Sequence, residues 1–324
     1  GGKRPDKSVC IVRYGGFGDM IQMSSVLPYL KEQGYYITVN TSDRGYHIIQ
    51  NDPLIDECFV QITDQVPNQE LSQYWAALAK NFDRFIQFSE SIEGKLLALP
   101  GRPEYKWRNQ KRHQKMNRDY FAQMHRIANV PLPPRPLFCP TDKEIDRAEK
   151  FLPDGFNIMW SLSGSSVHKA WPYTDQVIAQ LLMDTDVNII FVGDELCKLL
   201  EDAWENEPRV YQTCGEMDIR DTLTLTRLVD MVVGPETGVL NCVAFEEIPK
   251  VLMLSHSSPV NIGGTWTNTE VITPRGVDCY PCHKLHYSFD TCNRDENTGG
   301  AMCAANIKPE RVYKAITKHI REIA

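Results

Sequence analysis

Three short stretches of the chain set small residues beside a group that can carry charge. The first is Tyr14-Gly15-Gly16-Phe17-Gly18-Asp19, at the end of an apolar run. Its glycines let a ligand approach the backbone, and a helix starting there would offer free N–H groups to an anion. Asp19 reads either as the cap of that helix or as a general base. Gly16 and Gly18 fit the first two glycines of the dinucleotide fingerprint, but Ile21 stands at the third, which argues against a dehydrogenase. The second stretch is Ser161-Leu162-Ser163-Gly164-Ser165-Ser166-Val167-His168-Lys169. Ser161, Ser163 and the backbone at Gly164 can donate to phosphate oxygens, and Lys169 adds a point charge. The plainer reading is a Ser/Gly loop with a solvated lysine. The third is Gly234-Pro235-Glu236-Thr237-Gly238-Val239-Leu240-Asn241. Glu236 suits a ribose or sugar hydroxyl, and Thr237 with the N–H groups near Gly238 suits an anion; alternatively Thr237 only caps a helix.

Loops of this kind need strands and helices to hold them, and the chain supplies both in alternation. Strands are expected at 9–14, 35–40, 57–62 and 82–88, with helices from the first glycine loop to about Gln33, over 44–51 and over 69–80. Gly34 stands where a helix C-terminal glycine belongs. Val130 to Pro140 holds five prolines in eleven residues, so it is neither helix nor central strand and marks the approach to a linker. The alternation then restarts, with strands at 156–161, 187–193, 231–233 and 251–254 and helices at 175–183, 194–206 and 237–247. Parallel strands need long crossovers, so the fold class is α/β with doubly wound sheets. The expected domains are 1–140 and 141–324. Ligands in such sheets bind beyond the carboxyl ends of the strands, and with two domains the expected active site is a cleft between them.

Composition narrows the class. Hydrophobic residues make up 42% and charged residues 24%, as in an ordinary globular protein. No apolar run approaches the roughly 20 residues that span a bilayer, and no secretory leader precedes the first strand. The reading is therefore a cytoplasmic protein. A net charge of −7 excludes a generally basic nucleic-acid binder. Residues 102–118 are an exception, with seven Lys or Arg and one acid, interleaved with Tyr105 and Trp107. That stretch reads as a surface for an anionic acceptor or as a solvated helix face.

Ten cysteines are many for a cytoplasmic chain. Cys10, Cys58, Cys197 and Cys242 lie in apolar or helical patterns and read as small core residues. Cys279, Cys282, Cys292 and Cys303 cluster with the spacing Cys-x2-Cys-x9-Cys-x10-Cys. The first pair has the spacing of a metal knuckle, and four thiolates favour zinc or iron. Such a metal would be structural, since the loop 279–303 has little apolar sequence to fold it. Free thiols are the main competing reading, with disulfides less favoured in a reducing cytosol. His283 and His286 lie close by as spare ligands, although a loop histidine is more commonly just solvated.

In their order along the chain these pieces resemble glycosyltransferase family 9, the ADP-heptose:lipopolysaccharide heptosyltransferases. The resemblance rests on four of them. They are Gly18-Asp19 with Pro28 in the next helix, the Ser/Gly loop with Lys169 and Trp171-Pro172, Gly234-Pro235-Glu236-Thr237-Gly238, and Cys279-Tyr280-Pro281-Cys282 leading to Cys303 and Ile307-Lys308-Pro309-Glu310-Arg311-Val312. It implies a GT-B fold, two Rossmann-like domains facing each other across a cleft, with an N-terminal acceptor domain and a C-terminal nucleotide-sugar domain. It implies an inverting transfer without a catalytic divalent metal. Asp19 matches the general base, and Lys169 matches the residue that offsets charge on the departing nucleoside diphosphate. Gly18, Ser161, Ser163, Gly164, Glu195, Glu236, Thr237, Gly238 and Asn241 fall at donor-binding positions, Glu195 at the nucleoside. A related subgroup carries a four-cysteine iron site.

The sequence departs from the family at Asn241, where a histidine is usual, and at Phe245-Glu246-Glu247, where small residues are usual. The acceptor half also matches poorly after about residue 40. The expected partners are a nucleotide sugar, ADP-heptose by default, and an anionic acceptor such as lipopolysaccharide core, reached at the inner face of the membrane. Two other readings stand beside this one. One is a virus-type DNA glycosyltransferase acting on hydroxymethylated bases. The other is a binding or assembly protein that kept the fold and lost catalysis.

Overall fold

The structure, a computed structural model, describes residues 7–62 and 65–323. The chain divides into two compact units, Gly1–Ser91 with Tyr120–Thr141, and Ile92–Asp119 with Asp142–Ala324. The division after Thr141 falls beside the proline-rich stretch. Residues 92–119, expected in the N-terminal domain, group instead with the second unit.

The first unit is built on strands β1 (Ser8–Val12), β2 (Tyr36–Thr41), β3 (Glu57–Val60) and β4 (Arg84–Gln87), in the order β3-β2-β1-β4. Every pair is parallel. All five residues of β1 are buried, as its apolar run requires of a central strand. The helix after it covers Phe17–Ser24, and a second covers Leu27–Glu32, where one continuous helix to Gln33 was expected. Pro28 explains the break. It has no N–H to extend the first helix, but it fits the first turn of a new one.

The second unit contains β5 (Asn157–Ser161), β6 (Asn188–Val192), β7 (Val210–Gln212), β8 (Met231–Pro235), β9 (Lys250–Met253) and β10 (Thr269–Ile272). Their order is β10-β9-β8-β5-β6-β7, parallel throughout. Read from the other edge this is the 3-2-1-4-5-6 order of dinucleotide-binding sheets, which reverses between β5 and β8. Trp160, Ile189, Phe191 and Val233 are sealed in its core, packed under helix Thr174–Asp184 and the C-terminal helix Pro309–Ile323.

Local details differ from the sequence expectation. The helix expected over 194–206 is three short pieces, Glu195–Cys197, Lys198–Glu201 and Asp202–Trp204. Leu196, Leu199 and Leu200 are exposed there, so no buried apolar stripe holds a longer helix together. The helix after β8 ends at Cys242 rather than near Glu247, and the carbonyl of Ala244 accepts from Thr267 N–H instead of from a next turn.

One buried ion pair fastens helices Asp142–Phe151 and Ile219–Thr226. Arg220 Nε and Nη2 lie 2.7 and 3.0 Å from Glu144 Oε1 and Oε2. Arg220 is 2% exposed. Glu144→Ala removes the carboxylate from that buried guanidinium and is expected to cost about 3–5 kcal/mol, read as a lower urea midpoint. The double variant Glu144→Met/Arg220→Met should recover much of the loss.

Candidate active site

In the second unit the loops after β5 and β8 flank the point where the strand order reverses, so the sheet brings two of the sequence motifs side by side. Gly234 makes this approach feasible. A Cβ there would lie 2.8 Å from both the Cβ and the carbonyl oxygen of Ser161. Ser161 Oγ and Thr237 Oγ1 are 3.2 Å apart. Lys169 ends the Val167–Lys169 turn, and its Nζ donates to Glu236 O at 2.8 Å and to Glu236 Oε2 at 2.9 Å. Gly164 leaves room for that lysine stem, since a Cβ on it would come within 2.6 Å of Lys169 Cδ. An ammonium has three N–H donors, and Glu236 takes two of them.

Glu236 and Lys169 are only 15% and 10% exposed. Burial works to raise the Glu236 pKa, but the Lys169 ammonium and the Asn241 amide outweigh it and hold the carboxyl below its ordinary value. Asn241 is itself fully buried, and its Nδ2 donates to Glu236 Oε1 at 2.6 Å and Thr237 O at 2.9 Å. It holds the loop in shape rather than facing outward as a donor ligand. Glu236, Thr237 and Gly238 keep partial exposure, as does Ser163 in the opposite loop, where Gly164 is exposed.

Two histidines, unnoticed in the sequence, lie against this pair. His168 and His256 stack with ring centroids 4.5 Å apart. The Ser255 hydroxyl donates to His168 O at 2.9 Å, so in its 2.7 Å contact with His168 Nδ1 the hydroxyl oxygen must accept. Nδ1 therefore carries the proton. Burial holds the His168 pKa well below the usual value and pushes His256 down to about 3, with Lys169 adding to both shifts. Both rings are neutral near pH 7, and Lys169 is the cation at this point of the sheet.

Glu195 follows β6, the strand next to β5, where doubly wound sheets place an acid toward a ribose. Lys198 Nζ lies 3.2 Å from its Oε1. Gly215, also missed in the sequence, makes room for it, since a Cβ there would meet Glu195 Oε2 at 2.4 Å.

In the first unit Asp19 lies in the first turn of helix Phe17–Ser24, with Gly18 beside it. Its Oδ2 accepts from Gly16 N–H at 2.8 Å, so the capping reading is realised. Its Oδ1 is 2.7 Å from Nη2 of Arg13, a fully buried residue whose Nη1 donates to Phe88 O and Ser89 O. A carboxylate oxygen has two lone pairs, and the Asp19 side chain is 29% exposed, so capping does not use up its capacity to accept a proton. Arg13 was legible only as one residue of the strand expected at 9–14.

Cys279, Cys282, Cys292 and Cys303 are all free thiols. Burial pushes Cys292 up to about 11 and raises Cys282 and Cys303, and neighbouring thiols of the cluster add to each shift. The donor set suits zinc or iron, but among the described residues no three such side chains converge as metal ligands. The segment 92–119 braces the loop. Arg112, 3% exposed, donates to Cys282 O and Trp107 O, and Asn109 Nδ2 donates to Cys279 O. Tyr105 Oη contacts His286 Nδ1 at 2.9 Å and Thr291 Oγ1 at 2.6 Å, and His113 stacks on His283. Arg112 of the basic stretch is thus structural, while Lys106, Arg108, Lys111, Lys115 and Arg118 remain exposed. Arg112→Ala removes its bonds to two partly buried carbonyls, at about 1 kcal/mol each, so melting should fall and proteolysis within 279–303 should rise. A chelator added to the wild type should leave its melting unchanged; a larger loss with chelator than with Arg112→Ala would put a metal back in the loop.

No protein-family model and no curated protein sequence matches this chain. Solved structures do. A family 9 glycosyltransferase from Veillonella parvula is similar with a TM-score of 0.68 at 15% identity, covering 99% of each chain. ADP-heptose lps heptosyltransferase II of E. coli is similar at 0.65 and 16%, covering 98% of this chain and 100% of its own. TibC, an iron-containing dodecameric glycosyltransferase of enterotoxigenic E. coli, is similar at 0.61 and 14%, covering 98% of this chain and 77% of its own. With two parallel α/β sheets that match these proteins over nearly its whole length, the chain has the GT-B fold of the family 9 glycosyltransferases and ADP-heptose heptosyltransferases.

Proposed function

We propose that the chain is an inverting glycosyltransferase that moves a sugar, by default heptose from ADP-heptose, onto a hydroxyl of an anionic acceptor such as lipopolysaccharide core. The observation that carries this reading is the Lys169–Glu236 pair at the reversal between β5 and β8. The remaining N–H of Lys169, the hydroxyls of Ser161, Ser163 and Thr237, and the backbone at Gly164 and Gly238 suit a diphosphate. Glu195 suits the ribose. The likeness to proteins named for ADP-heptose supports the choice of donor.

In the reaction Asp19 takes the proton from the acceptor hydroxyl as its oxygen attacks the anomeric carbon. The bond from that carbon to the phosphate oxygen breaks, and Lys169 offsets the charge left on the nucleoside diphosphate. The exposed cations Lys106, Arg108, Lys111, Lys115 and Arg118 suit an anionic acceptor. No helix among the described residues is long and apolar enough to cross a membrane. A lipid-linked acceptor would therefore be met at the membrane surface.

The test is a thermal-shift panel of ADP-heptose, UDP-glucose, GDP-mannose and their nucleoside diphosphates. Stabilisation by ADP-heptose and ADP is expected. Stabilisation by a UDP or GDP pair instead keeps the reaction and discards the donor. No stabilisation by any donor overturns the reading.

A further inference from the structure

Next to Asp19, the first unit carries an aromatic pair that the donor reading does not use. Tyr14 begins the glycine loop, and Trp75 lies on helix Leu71–Ala79. Their rings stack with centroids 6.3 Å apart and planes 24° from parallel. Trp75 Nε1–H donates to Tyr14 Oη at 3.3 Å, and the Tyr14 hydroxyl donates to Asn40 Oδ1. These bonds fix the planes of both rings and consume their polar edges. Each side chain stays partly exposed.

The helix that carries Trp75 is unusual. Its sequence is LSQYWAALA, seven of nine residues apolar, yet none is buried. A helix this apolar ordinarily sinks a stripe into the core. Here it sets Trp75 against Tyr14, just beyond the carboxyl end of β1, where ligands of parallel sheets bind. The Asp19 carboxylate lies against the same loop. Its Oδ2 accepts from Gly16 N–H, and a Cβ on Gly15 would come within 2.4 Å of it. The proposed base is thus packed on the residue that follows Tyr14.

We propose that Tyr14 and Trp75 form an acceptor subsite on which one face of a sugar ring stacks, presenting a ring hydroxyl to Asp19. This rests on the reading of the chain as a glycosyltransferase. A pyranose has an apolar C–H face and a hydroxyl rim, which matches an aromatic platform beside a carboxylate. A nucleobase also stacks, but it is read through hydrogen bonds to its edges. The Tyr14 hydroxyl and the Trp75 indole N–H are already committed to each other and to Asn40, so this pair offers a base no such reading.

The test is saturation-transfer NMR on the full chain, with lipopolysaccharide core oligosaccharide, methyl mannoside and thymidine as probes. Saturation of sugar ring protons is expected with wild type. Trp75→Ala should weaken it roughly tenfold, the scale of a lost stacking contact. Tyr14→Phe keeps the stacking ring but loses the two hydrogen bonds that fix the planes, so it should weaken the signal less than Trp75→Ala does. Nucleoside diphosphate binding, assigned to the second unit, should be unchanged in both variants, and a wild-type circular-dichroism spectrum and melting curve show that the first unit is folded. Saturation of thymidine rather than the sugars overturns the subsite, as do sugar signals unchanged in Trp75→Ala or no sugar signal at all. Failure of the donor panel with sugar binding intact would overturn the donor reading instead.

Discussion

Replacing Lys169 with alanine is expected to weaken nucleoside diphosphate binding by roughly 10- to 150-fold, the range of a lost charge-assisted hydrogen bond. The stacked histidines beside it are held neutral, so they supply no substitute charge. The same change also strands Glu236, only 15% exposed, and should lower stability by a few kcal/mol. The two effects can be separated. Lys169→Met with Glu236→Gln removes the unpaired charge, so melting should recover while binding stays lost. Calorimetry on that double variant is decisive, because wild-type affinity in it would remove Lys169 from the phosphate site.

Asp19→Asn is expected to lower turnover by about 10²- to 10⁴-fold while leaving nucleoside diphosphate affinity unchanged. Asparagine keeps an oxygen for Gly16 N–H, so the helix start survives. It cannot accept the acceptor's proton, and it no longer neutralises Arg13, which is fully buried. Melting should therefore be measured with turnover. A stable variant that turns over at the wild-type rate would leave Asp19 as a cap only.

The parts of the molecule legible in the sequence are those fixed by local pattern. Buried runs such as Ile158-Met159-Trp160 and Ile189-Ile190-Phe191 announce central parallel strands, and glycine or serine directly after them announces the loops. Ser161, Lys169, Glu236 and Thr237 were nominated on that basis, and the sheet order brings them together. β7 and β10 escaped because they are short edge strands, Val210–Gln212 and the alternating Thr269–Ile272, whose half-exposed patterns resemble loops.

Asn241 was legible as a polar group near the donor loop, but not as one turned inward onto Glu236. The association of residues 92–119 with the cysteine loop was hidden for a different reason. Arg112 with Cys282 and His113 with His283 are contacts across 170 residues, and no local periodicity encodes them. Four clustered cysteines suggested a metal from local spacing alone, and the contacts of Arg112 and Asn109 with their loop add a support that spacing does not encode.

The central claim, sugar transfer from a nucleotide donor, is tested most directly by incubating the protein with ADP-heptose and lipopolysaccharide core oligosaccharide and following both products by NMR. The account predicts ADP release matched by a new glycoside of inverted anomeric configuration, lost in Asp19→Asn. A donor that stays intact in the presence of acceptor, or a product of retained configuration, would contradict it.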